Sequence, residues 1–108
     1  MLLASPESLL VIDIETVSQC ADHSELSDTW KELWAHKAFS QMPDGDTPAS
    51  LYSKRAAIWA EFGKIVCISM GFFVKNKYDD YTFRVKSFYG HDECRLLREF
   101  FEAVEKCM

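Results

Sequence analysis

The sequence predicts an α/β chain ordered as strand, two helices, β-hairpin and helix, and three observations carry that prediction. Residues 9–18, LLVIDIETVS, open as an unbroken apolar run. Residues 64–89 change to β-branched and aromatic stretches divided by the polar tract KNKYDD, and residues 92–107 set apolar side chains on one helical stripe. With 108 residues, 48% of them hydrophobic, the chain can bury one modest core.

The first strand is expected over Ser8 to Glu15. Its LLVI portion is apolar toward both faces, as in a central strand covered on each side. Val17 to Ser24 is a polar mixture and reads as loop. A first helix follows over Ser27 to Phe39, because Leu26, Trp30, Leu33, Trp34 and Ala38 recur at helical spacing and Ser24 or Ser27 can cap its entrance. SQMPDGDTPAS, residues 40–50, is turn chemistry throughout. The second helix is expected over Leu51 to Phe62, with Ser50 as its cap and Gly63 as its stop.

KIVCISMGFFV, residues 64–74, and YTFRVKSFYG, residues 81–90, then form two antiparallel strands joined by a loop longer than the tightest turns. The last helix spans Asp92 to Cys107. Leu97, Phe100, Phe101, Val104 and Met108 form its apolar stripe, and Asp92 and Glu93 lie at its start, where the helix dipole favours anions. That stripe runs to the final residue with no cap or polar tail, so the chain is expected to be cut at Met108.

Acidic residues outnumber basic ones 17 to 12, for a formal charge of −5. That excludes a protein that coats nucleic acid by charge alone and leaves nucleases that meet phosphate through a metal. Cys20, Cys67, Cys94 and Cys107 form no C-x-x-C pair, so free thiols in a reducing cytoplasm are expected. The N-terminal segment lacks the basic start of a signal peptide and carries Pro6 and Glu7. No apolar run reaches the ~18 residues of a membrane helix. His23, His36 and His91 share no ligand spacing and read as surface or capping residues, and GHDE, residues 90–93, reads as a helix entrance. Trp30, Trp34, Trp59, Phe62, Phe72 and Phe73 could stack bases, but their spacing assigns most of them to the core. Lys54, Arg55 and Lys64 fit either a backbone contact to nucleic acid or a solvated face.

Asp13 and Glu15 carry the chemistry. Residues i and i+2 of a strand point to one face, about 6.6 Å apart along it, so the two carboxylates can lean toward one point. A divalent cation turns their mutual repulsion into binding, and hard oxygen ligands favour Mg²⁺ or Mn²⁺. Paired ions of this kind activate water and steady the leaving oxygen in phosphodiester cleavage. A solvated sheet edge is the structural alternative for the same three residues.

LLVIDIET resembles the first exonuclease motif of the DnaQ-like 3′-to-5′ exonucleases, the DEDD group. YSKRAAIWAEFGKIVCISMGFF, residues 52–73, with its spacing to DIET, resembles the predicted exonucleases related to the proofreading domain of family B DNA polymerases. The resemblance implies a ribonuclease-H-like fold, a three-stranded antiparallel meander followed by helices and further strands. The chain would be the N-terminal half of one such domain, residues 1–108, with the sheet truncated before its later strands and residues 19–62 inserted between the first two strands. It further implies a two-metal Mg²⁺ or Mn²⁺ site in which Asp13 bridges both ions and Glu15 holds one, while the backbone near Thr16 lies against the terminal nucleotide. The remaining two aspartates and the general base would lie beyond Met108. The implied partner is a single-stranded nucleic-acid 3′ end, DNA ahead of RNA, and no membrane.

With two carboxylates against four cationic charges, the 108-residue chain alone is expected to be inactive or nearly so. An unpaired edge of LLVIDI invites a second copy, so a homodimer through the first strand is expected. Two other readings stand beside this one. DIETV superficially matches the D-x-D-x-[TV] motif of haloacid-dehalogenase-like phosphatases, with Glu15 a poor second acid, and a non-catalytic nucleic-acid-binding or scaffold domain could retain the fold.

Overall fold

A computed structural model describes residues 5–107. Strand β1 (Leu10–Ser18) is followed by helices α1 (Asp28–Phe39) and α2 (Pro48–Arg55), strands β2 (Gly63–Lys75) and β3 (Tyr81–Tyr89), and helix α3 (Glu93–Cys107). Short 3-10 turns occupy Pro6–Ser8, His23–Glu25 and Ala56–Ile58. The strands form one antiparallel sheet in the order β1-β2-β3, so the chain is α+β with a three-stranded meander.

That order is the expected meander: β2 is the central strand, and β1 lies at an edge among the described residues. Val11, Ile12 and Ile14 are each about half exposed, at 51%, 50% and 49%. The apolar run on both faces of β1 therefore lacks the double cover that its composition suits.

The described chain divides into two compact units, one of Thr16–Lys64 and one that joins residues 5–15 with residues 65–107. In the Thr16–Lys64 unit, Leu26, Trp34, Ala38, Leu51, Tyr52, Ala56 and Phe62 form the core. Ser27 caps α1, its hydroxyl accepting from the Trp30 N–H at 3.3 Å. α2 differs from its expected span at both ends. Thr47 is the cap and Pro48 the first helical residue, with Ser50 completing a reciprocal capping box. The helix ends at Arg55 and tightens into the turn Ala56–Ile58. Gly63 opens β2 instead of stopping a helix, because both its N–H and that of Phe62 bond the Trp59 carbonyl. A side chain at Gly63 would sit 2.6 Å from the Ala57 carbonyl oxygen.

In the other unit, α3 covers one face of the hairpin. Ile68, Met70, Phe88, Leu96 and Phe100 are its core, flanked by Ile65, Leu97, Ala103 and Val104. Of the expected stripe, Phe100 is buried and Leu97 and Val104 pack against the core, whereas Leu96 joins it and Phe101 is 58% exposed. Met108 lies outside the described residues. β2 pairs with β3 from Cys67↔Tyr89 to Lys75↔Tyr81. The Asn76 side chain closes the connecting loop by accepting from the N–H groups of Tyr78 and Asp80, and Asp79 takes a left-handed conformation at φ 66°. Midway along β2, Gly71 is buried and lies under the ring of Phe83, which occupies the place a side chain there would need.

Candidate metal centre

β1 positions both sequence-predicted acids. Asp13 and Glu15 lie two residues apart in one continuous strand, so alternation sets them on one side of it, and both are exposed. No lysine, arginine or histidine is within ion-pair distance of either among the described residues. Two unneutralised carboxylates about 6.6 Å apart along the strand repel each other. Thr16 follows on β1 and is half-buried.

Among the described residues no group of three or more His, Cys, Asp or Glu converges on a point. Two carboxylates suit a hydrated ion such as Mg²⁺, which keeps several waters and takes one or two protein carboxylates. They do not suit zinc, which takes three or four nitrogen or sulfur ligands. One hydrated hard cation fits; a pair of ions needs further ligands.

Several other titratable groups have structural partners. In GHDE, Asp92 caps α3 through the Arg95 N–H at 3.1 Å, and the Glu93 carboxylate accepts from the Ile65 N–H at 2.6 Å. His36 and His91 are exposed, whereas His23 is half-buried with its ring edge-on to Tyr52 at 5.9 Å and its Nε2 unpartnered. Lys54 is committed to Asp46 at 2.8 Å. That hydrogen bond, joined by one from the Ser50 hydroxyl, holds the Asp46 carboxyl below the usual range. Lys37 does the same for Glu61, with a second contribution from the backbone N–H of Glu61. All four cysteines are free.

Of the six aromatics that could stack bases, Trp34 and Phe62 are buried, and Trp59, Phe72 and Phe73 are partly so. Trp30 remains 45% exposed. No described helix is long and apolar enough to cross a membrane.

Comparison with known proteins adds no relative: no family model matches the chain, and no curated protein and no solved structure is similar to it.

Proposed function

We propose that Asp13 and Glu15 form part of the cation site of a metal-dependent 3′-to-5′ exonuclease of ribonuclease-H-like fold, acting on a single-stranded nucleic-acid end. The reading rests on one observation: two exposed carboxylates, with no ion-pair partner among the described residues, share a side of a largely apolar strand. When bound, Mg²⁺ or Mn²⁺ supplies the charge that activates water and stabilises the leaving oxygen. Asp13 and Glu15 would orient the ion, and the backbone at Thr16 would lie along the terminal nucleotide. The antiparallel hairpin and edge position of β1 also favour this reading over the phosphatase one, in which strands alternate with helices.

Isothermal titration with Mn²⁺ tests it. Binding heat that Asp13→Asn removes is expected, and its absence would sink the proposal. The isolated 108-residue chain should degrade a single-stranded oligonucleotide little, because a two-ion centre needs more ligands than these two. Rapid metal-dependent degradation, abolished by Asp13→Ala, would show that the donor set has been undercounted.

The lack of any third converging ligand among the described residues favours a second reading, a non-catalytic nucleic-acid-binding or scaffold domain. Oligonucleotide binding that is indifferent to Mn²⁺ and to Asp13→Asn would select it.

A further inference from the structure

We infer that a cavity within the Thr16–Lys64 unit receives a nucleobase. The cavity measures about 390 Å³, within the usual range for small-molecule sites. Leu26, Trp30 and Phe62 provide its apolar wall, and Gln19, Cys20 and Glu61 its polar rim.

Three features narrow the occupant. The first is shape. Trp30 and Phe62 stand perpendicular, 5.6 Å between centroids at 83°, so a flat ring laid against one is met edge-on by the other. Trp30 keeps nearly half its surface open although it adjoins the core.

The second is charge. No lysine or arginine lines the cavity, and Glu61 is neutralised by Lys37 at 2.7 and 2.9 Å. The lining therefore suits neither a phosphate nor a strong cation, but a neutral planar ring with polar edges.

The third is rigidity. The Gln19 N–H donates to the Phe62 carbonyl at 2.8 Å, and its side-chain Nε2 donates to the Gly63 carbonyl at 3.0 Å. The amide is thus held in place with Oε1 left as an acceptor for a ring N–H or an exocyclic amine. Cys20 is fixed on both backbone atoms by the Tyr52 hydroxyl. A ring that enters meets a site already formed, which lowers the ordering cost of binding.

The choice of a nucleobase among flat rings rests on the nucleic-acid reading above. The base could come from a free nucleoside or from the end of a strand, and stacking serves both.

The test is a titration of the 108-residue chain with adenosine and with thymidine in EDTA, followed by amide and indole NMR shifts. Saturable binding with shifts at Gln19, Trp30 and Phe62 is expected. Trp30→Ala should weaken it about tenfold, Trp30→Phe should restore most of it, and Gln19→Ala should weaken it severalfold. Circular dichroism of each variant separates lost binding from lost fold. No saturation up to about 10 mM nucleoside, shifts elsewhere, or affinity unchanged by Trp30→Ala in a folded protein would each overturn the inference. An oligonucleotide with an abasic 3′ end assigns the source: weaker binding than its intact counterpart points to a strand end, equal binding to a free nucleoside. The assay contains no metal, so a chain that binds nucleosides but takes up no Mn²⁺ keeps this inference while the exonuclease reading fails.

Discussion

The carboxylate of Glu93 accepts a hydrogen bond from the backbone N–H of Ile65 at 2.6 Å, tying the first residue of α3 to the start of β2. The regular β2-β3 pairing ends at Cys67↔Tyr89, so Glu93 serves an N–H beyond the end of that ladder. A charged acceptor makes this bond stronger than a neutral one. Glu93→Ala should destabilise the fold by about 1–3 kcal/mol in urea unfolding, and Glu93→Gln, which keeps an acceptor, by less.

Tyr52 plays a comparable part in the Thr16–Lys64 unit. Its hydroxyl accepts from the Cys20 N–H at 3.0 Å and donates to the Cys20 carbonyl at 2.9 Å, while its ring is buried edge-on to Trp34. Tyr52→Phe keeps the ring and strands two backbone groups. A loss of about 1–3 kcal/mol is expected, with amide exchange quickening first at Cys20; unchanged exchange there would show that water replaces the hydroxyl.

Acid should weaken the same unit through two surface pairs. Lys54 and Lys37 hold the carboxyls of Asp46 and Glu61 below the usual range. In the folded chain these acids stay charged at a pH where those of the unfolded chain take up protons. Their contribution is therefore complete above the ordinary carboxylate range and fades as pH falls through it, from about pH 5 downward. The urea midpoint should fall between about pH 5 and pH 3, and Lys37→Met with Lys54→Met should flatten that slope.

The free edge of β1 leads to a prediction about self-association. Full antiparallel overlap of Leu10–Ser18 with a second copy has its two-fold axis at Ile14 and sets each Asp13 opposite the other copy's Glu15. Four carboxylates then share one face. The apolar edge favours pairing and the charges oppose it. Light scattering should find mostly monomer in EDTA, dimer with millimolar Mn²⁺, and dimer without metal for Asp13→Asn with Glu15→Gln. Ile12→Lys, on the face away from the acids, should keep the chain monomeric throughout, and a wild-type monomer in Mn²⁺ would refute the pairing.

Local signals in the sequence translated well and tertiary ones did not. The Ser27 cap and the same-side placement of Asp13 and Glu15 depend on residues within a turn or a pleat, so both are legible. Thr47 was legible too, since Pro48 suits the first helical position and makes its predecessor the cap, but Ser50 offers a competing hydroxyl. Composition cannot choose between Phe100 and Phe101, because either can head an apolar stripe; packing on Ile68 and Met70 selects Phe100. AAIWAEF is a helical composition, yet the Trp59 carbonyl turns the chain toward β2. Whether β1 lies mid-sheet or at an edge depends on which strands stand beside it. Gln19 carries no motif at all, since its anchor at Gly63 is 44 residues away.

Gly71 and Phe83 bear on how this hairpin can change. A strand-interior glycine ordinarily weakens a sheet, having nothing to pack; here its cross-strand neighbour lends the missing bulk by lying over the bare backbone. The two sites form a single heritable unit. Any side chain at Gly71 must first evict the aromatic ring, and trimming that ring uncovers the glycine, so neither position is free to drift while the other stays as it is.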